Sequence, residues 1–251
     1  MKPVLKMLKT CLLGLTLALS AMPLHAQTFS EQDIKRLALE AILENPEILT
    51  QAIAILQQRQ DQAQADAAQA ALARYREPLE RDANAPVLGN PDGDVTIVEF
   101  FDYNCPYCKQ VAEAVKAVVR EDGNIRLVYR EWPILGDGSV FAARVALASR
   151  EQGRYEEVHN ALMSLPRADE KTVMFAVRKL GLDIDKLRAD MQANEIDSHI
   201  QISMELTRAL GFNGTPSFVI GNELIGGAIS KEELVEYVRL ARESAADQPG
   251  E

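Results

Sequence analysis

Two cysteines separated by two residues, in Cys105-Pro106-Tyr107-Cys108, are the side chains here best suited to chemistry. At this spacing the sulfurs come within disulfide reach if the first cysteine lies just before a helix and the second one turn inside it. A pair so placed can cycle between dithiol and disulfide and exchange electrons with other thiols. Two simpler uses compete with this, a stabilising disulfide and half of a zinc site. Zinc wants a second pair of ligands, and after the amino-terminal stretch only His159 and His199 remain, neither at motif spacing.

Other residues could assist. Glu99 lies on an otherwise apolar strand, where an ionised carboxylate is costly unless it has a task; alternatively, strand alternation simply turns it to solvent. Thr215-Pro216 precedes a strand and is a candidate cis peptide, although on sequence alone it is a turn proline. Pro106 and Tyr107 separate the cysteines and so influence how well a thiolate is stabilised. Lys109 reads as a solvated helix residue. Met163, Met174, Met191 and Met204 fall on expected helices as core filling, and no His-rich or Met-rich tract marks a metal site.

The elements that must position the pair are legible. Val95 to Phe101 is a strand signal, and a helical pattern runs from about Pro106 to Arg120. Asn124 to Arg130 alternates as a strand, so the two strands should form a parallel pair with a right-handed crossover. Trp132-Pro133 closes the second strand. Helical patterns follow over Phe141–Arg150, Tyr155–Leu165, Glu170–Leu180, Ile184–Gln192 and Glu195–Leu210, an all-helical insertion. Ser217 to Ile220 and Glu223 to Ile225 flank a Gly221-Asn222 turn as a hairpin. A last helix starts at Ser230 with a capping box to Glu233, and the tail Ala245 to Glu251 is expected to fray.

Ahead of the first strand the chain changes character twice. Lys2, Lys6 and Lys9 precede the apolar run Cys11 to Leu19, and Ala26 ends a signal-peptide pattern covering 1–26, with Ala21 as a second cleavage point. Removing it takes away Cys11, which leaves Cys105 and Cys108 as the only thiols and no disulfide framework. The formal charge of −10 then becomes about −13, which argues against nucleic acid as a partner. No later run reaches the ~20 apolar residues of a membrane helix. From Gln27 the sequence reads as two helices broken at Asn45-Pro46, with Ser30 and Asp33 as a cap and Ile34, Leu37, Ile42, Leu49, Ile53 and Leu56 at helical spacing. Gln57 to Tyr75 is rich in Ala and Gln and reads as an exposed strut, and Asp82 to Asp94 as a turn-rich linker. The apolar hairpin is too small to stand alone, so it packs on copies of itself or on the rest of the chain. The expected division is a helical extension over 27–84, concerned with oligomerisation, and a domain over 85–251 carrying the insertion at about 138–210.

From about Asp94 to Leu240 the chain resembles the DsbA-like thiol:disulfide oxidoreductases of the thioredoxin superfamily. The matching residues are Glu99-Phe100-Phe101, Cys105-Pro106-Tyr107-Cys108 and Gly214-Thr215-Pro216-Ser217-Phe218. Ile42-Leu43-Glu44-Asn45-Pro46-Glu47 is similar to the extension of the ScsC-like branch, which is associated with suppression of copper sensitivity and includes trimers with disulfide isomerase activity. The resemblance implies an α/β thioredoxin fold split by a helical insertion and preceded by an oligomerisation segment. It implies that Cys105 attacks and Cys108 resolves, that Glu99 relays protons, and that Thr215 and a cis Pro216 face the pair and bind substrate. No cofactor is implied.

The expected function is an exported, periplasmic thiol:disulfide oxidoreductase acting on unfolded or misfolded proteins, as isomerase or reductase. The strongly oxidising relatives carry histidine where Tyr107 stands, so a milder oxidant is expected. Several heads on one stalk would grip a client at more than one point. By resemblance its partners are copies of itself, with a trimer as one form, and a membrane thiol electron donor of the DsbD or ScsB kind. The alternatives are a monomeric dithiol oxidase and a Cu(I)-binding protein using the same cysteines.

Overall fold

The computed structural model describes residues 29–246. The expected signal peptide lies outside them, as does the tail beyond Ala246; Ala245 and Ala246 are helical. Among the described residues the strands are β1 (Val87–Gly89), β2 (Val95–Phe101), β3 (Ile125–Glu131), β4 (Ser217–Ile220) and β5 (Glu223–Gly226). They form one sheet in the order β1-β3-β2-β4-β5. At its centre β2 pairs in parallel with β3, Val95 opposite Ile125, and antiparallel with β4, Glu99 opposite Phe218. The helices are α1 (Glu31–Glu44), α2 (Glu47–Glu80), α3 (Pro106–Asp122), α4 (Asp137–Ala148), α5 (Tyr155–Met163), α6 (Glu170–Lys179), α7 (Ile184–Asp190), α8 (Asn194–Ala209) and α9 (Lys231–Ala246), with a 3-10 turn at Ser149–Gln152.

The period-two pattern of β2 explains how the sheet carries two cores. Ile97 and Phe101 turn to one face, where they join Val111, Val115 and Val118 of α3 and the helices of the insertion. Val98 and Phe100 turn to the other, with Trp132, Leu206 and Leu210. Glu99 shares the parity of Ile97 and Phe101, so it points toward the α3 side.

Two compact units divide between Gln57 and Gln58, inside α2. In the first, Ser30 caps α1 through the expected box, its Oγ accepting from the Asp33 amide at 3.2 Å. No side chain of α1 is buried, and Leu43, Ile48, Leu49, Ile53 and Leu56 are all exposed.

In the second unit the expected strut is exposed as far as Ala67 and is corrected from Ala68 onward. Leu72 and Leu79 of α2 are fully buried in the core that contains Val98, Phe100 and Val128. The physical reason is spacing: Leu72 and Leu79 lie seven residues apart, two turns along one face, and small alanines around them permit close approach. The end of this helix is fastened to β3. Arg130, fully buried, donates to the carbonyls of Pro78 and Leu79 and sits 2.7 Å from Asp82 Oδ2. A cation against the last carbonyls of a helix satisfies groups that have no intrahelical partner. β1 is a second difference, three residues inside the expected linker that pair antiparallel with β3.

No helix among the described residues is long and apolar enough to cross a membrane.

Candidate active site

Cys105 is the N-cap of α3, in extended backbone (φ −76°, ψ 118°), with Pro106 in the first turn. Proline costs nothing there, because its missing N–H is one that the helix could not have paired. Cys108, one turn in, is fully buried. Both thiols are free in this structure. Tyr107 between them is 62 % exposed, so its phenol borders solvent rather than the core.

The two sulfurs differ sharply. The Cys105 thiol is lowered to about 5: a hydrogen bond from the Cys108 thiol is the largest cause, burial opposes it, and the Thr215 side chain and the amides of Cys108 and Tyr107 reinforce it. Burial pushes Cys108 far above the ordinary thiol range, and the bond to Cys105 and the charge of Glu99 push it the same way. A thiolate at the start of a helix and a protonated thiol one turn inside make a donor–acceptor pair, with the charge held on the outer sulfur.

Glu99 is buried, so the solvent-facing alternative is excluded. Burial alone pushes its carboxyl up to about 8, and its Oε2 has no hydrogen-bond partner. The Thr215–Pro216 peptide is cis. It brings the Thr215 carbonyl to the pair, where it accepts from Cys105 Sγ at 3.1 Å. Lys109 is less solvated than its sequence suggests, since Nζ donates to the carbonyls of Leu165 and Pro166.

Sequence reasoning missed the residues that hold the loop before Cys105. Asp102 is buried and accepts four hydrogen bonds: Oδ1 from the Asn104 amide (2.7 Å) and Ser139 Oγ (2.6 Å), and Oδ2 from the amides of Ile134 (2.8 Å) and Leu135 (2.9 Å). Asn104 in turn bonds Ser139 Oγ and both backbone groups of Ala168. Gly138 makes this approach possible, because a Cβ there would stand 2.5 Å from the Ala168 carbonyl oxygen. The available signal was Asp102-Tyr103-Asn104 itself, since aspartate two residues before an amide is an Asx turn.

A dithiol at the start of a helix, beside a cis-proline at the head of an adjacent strand, defines a thioredoxin-fold thiol–disulfide exchange protein. The chain belongs to the DSBA-like thioredoxin domain family, which matches residues 96–239. A second match, to the copper resistance protein ScsC N-terminal domain, covers residues 31–63. Among solved structures, a thioredoxin-like oxidoreductase from Silicibacter pomeroyi DSS-3 is 54 % identical over 67 % of this chain and 98 % of its own, with a TM-score of 0.66. ScsC of Proteus mirabilis in a compact conformation is 28 % identical over 85 % of this chain and 99 % of its own, with a TM-score of 0.64. Among curated proteins, the Na(+)/H(+) antiporter NhaA 3 of Salinispora tropica is 29 % identical over 65 % of this chain. The match spans only 26 % of that antiporter's length.

Proposed function

We propose that the protein is an exported, periplasmic enzyme that exchanges disulfides with unfolded or misfolded protein clients, chiefly as an isomerase or reductase. The observation that carries this reading is the asymmetry of the pair, Cys105 at the start of α3 beside the cis Thr215–Pro216 peptide and Cys108 fully buried one turn inside, which favours the thiolate on the outer sulfur and the thiol on the inner one. The Cys105 thiolate attacks a client disulfide; that bond breaks, and the departing client sulfur takes a proton. In isomerisation a second client thiol then attacks the client sulfur of the mixed disulfide and restores the Cys105 thiolate. In reduction Cys108 gives its proton to ionised Glu99 and attacks Cys105, releasing reduced client and leaving the Cys105–Cys108 disulfide. With a carboxyl near 8, about a tenth of Glu99 is ionised at pH 7, enough to serve as base in one direction and acid in the other. Thr215 and Pro216 would present backbone to the client, and Pro106 and Tyr107 set the poise of the pair.

Reductase cycles need a source of electrons, and a membrane thiol donor of the DsbD or ScsB kind fits that need. The exposed apolar side chains of α1 and the first half of α2, together with the match over 31–63, support self-association, of which a trimer is one form. The amino-terminal signal pattern and the periplasmic character of a Salmonella thioredoxin-like neighbour support export. The test combines repair of scrambled ribonuclease, molecular mass in solution and the redox equilibrium with glutathione. Repair by an oligomer with a potential well below DsbA's value of about −120 mV is expected. A monomer as oxidising as DsbA would identify a dithiol oxidase instead, and stoichiometric Cu(I) binding without thiol exchange would identify a copper-binding protein.

A further inference from the structure

The strongest unassigned feature is a groove of about 630 Å³ between the second half of α2 and the β4–β5 hairpin. Asp61, Gln64 and Ala65 of α2 form one wall, and Phe212, Leu224 and the Gly226–Gly227 backbone lie across from them. All of these belong to the unit that begins at Gln58. The wall is held in place by Gln69, which donates to the Asn222 carbonyl at 3.1 Å, and by Arg76, which donates to Gly221 O at 3.1 Å and Asn222 Oδ1 at 2.6 Å.

Thr215 lines the same groove, and its carbonyl is the group that Cys105 Sγ touches. A client sulfur bonded to Cys105 therefore lies next to a residue that lines the groove, within reach of the chain flanking that sulfur. The backbone there is unobstructed: a Cβ added at Gly214, Gly226 or Gly227 would meet nothing within 4 Å. Among the described residues β5 is the last strand of the sheet, paired with β4 only, and a strand so placed is the kind of edge that an extended chain can join. The charge is one-sided. Asp61 and Glu223 are both exposed, and among the described residues no lysine or arginine lines the groove.

We propose that the second half of α2 is a wall of the client site, and that this groove takes the extended segment next to a client's cysteine, selecting neutral and basic sequences over acidic ones. This rests on the thiol-exchange reading above. The client's sulfur is taken by Cys105, while its neighbouring residues are read by α2 and β5, outside the cysteine motif.

The test uses the protein in a Cys108→Ala background, which traps the mixed disulfide. Two cysteine peptides, one flanked by lysines and one by glutamates, are presented as mixed disulfides with thionitrobenzoate. The Cys105 thiolate attacks the peptide sulfur, and the coloured thionitrobenzoate thiolate leaves. Each rate is divided by the same peptide's rate with free glutathione, and the glutathione–thionitrobenzoate disulfide serves as the small substrate. We expect the lysine peptide to react roughly fivefold faster than the glutamate peptide at low salt, and less so at high salt. Asp61→Lys with Glu223→Lys should reverse that order, and Ala65→Trp, on an exposed helix face, should slow both peptides. None of these changes should alter the glutathione rate. Unchanged peptide rates beside a normal glutathione rate would overturn the groove while leaving the redox pair intact; loss of the glutathione rate in the unsubstituted groove would instead overturn the thiol-exchange reading. If Ala65→Trp changes the solution mass but not the peptide rates, the groove is a contact between copies and the proposal fails.

Discussion

Cys105 owes its low pKa first to the Cys108 thiol, then to Thr215, and only after these to the amides at the helix start, so the two sulfurs cannot be altered independently. Replacing Cys108 by alanine removes that donor, and the Cys105 titration should move up from about 5; thiolate absorbance against pH measures it, and an unmoved midpoint would show that the amides of α3 suffice alone. Glu99 gives a prediction in pH. Its folded value of about 8 lies above the ordinary 4.5, so the buried neutral form matches the unfolded chain below pH 4.5 and falls behind it as pH rises. Glu99's contribution to the stability of the reduced protein should thus be greatest in acid and decline between pH 4.5 and 8, by up to about 1.4 kcal/mol per pH unit, while Cys105, lowered from 9.0 to about 5, contributes in the opposite sense above pH 5. The difference in stability between the unsubstituted protein and Glu99→Gln in denaturant titrations at several pH values isolates the Glu99 contribution, and a difference that does not change with pH would overturn it. The same variant should slow release of the mixed disulfide by Cys108 while leaving alkylation of Cys105 unchanged, a split that a purely packing role would not produce. Cys105, Cys108 and Glu99 were legible in the sequence as candidates, an isolated cysteine pair and one acid on an apolar strand. The degree of burial that sets their protonation was not, since it depends on helices far along the chain.

At the scale of the elements, the loop between β2 and α3 is fixed by partners that lie far away in sequence. Asp102 gathers amides from 134 and 135 and a hydroxyl from 139, so the start of α4 and the start of α3 are set by one carboxylate. Asp102→Ala would leave the buried Ser139 hydroxyl and the part-buried amides of Ile134 and Leu135 without this acceptor, at about 1–3 kcal/mol for each group that water cannot reach. A large drop in stability is expected, with faster hydrogen exchange at the Ile134, Leu135 and Cys105 amides; exchange unchanged at Cys105 would mean that Asn104 and Ser139 hold the loop without it. The sequence showed β2, α3, β3, the insertion helices and the β4–β5 hairpin, because each has a period of its own. It did not show β1, whose three residues have no period and exist as a strand only because β3 offers an edge. Nor did it show the buried half of α2, since Leu72 and Leu79 are two apolar side chains in a run of alanine and glutamine, and the partner of that face is a sheet formed later in the chain. Asp102 was overlooked for a related reason, that its bonding partners cannot be read from its neighbours.

For the whole molecule, the question is which part of the amino-terminal helices serves assembly and which part serves the fold. The exposed large apolar side chains of α1 and α2 all lie before Gln58, whereas Leu72, Leu79 and the carbonyls held by Arg130 lie after it. Two truncations separate these roles. A chain beginning at Gln58 keeps the second unit complete, and it should be monomeric, react normally with glutathione disulfide and lose most scrambled-disulfide repair. A chain beginning near Pro86 removes Leu72 and Leu79 from one core and strips buried Arg130 of Asp82 and its carbonyl partners. Each lost leucine removes about 2–5 kcal/mol, and an unpaired buried charge about 3–5 kcal/mol more. Since a domain of this size is stable by only about 5–15 kcal/mol, this form should unfold or aggregate. Loss of repair in the Pro86 form would therefore say nothing about assembly, while loss in the Gln58 form would assign repair to the oligomer. Equal mass and equal repair in the Gln58 form and the full chain would sink the assembly role of the first unit, because the redox pair, its acid and its loop are all retained in both.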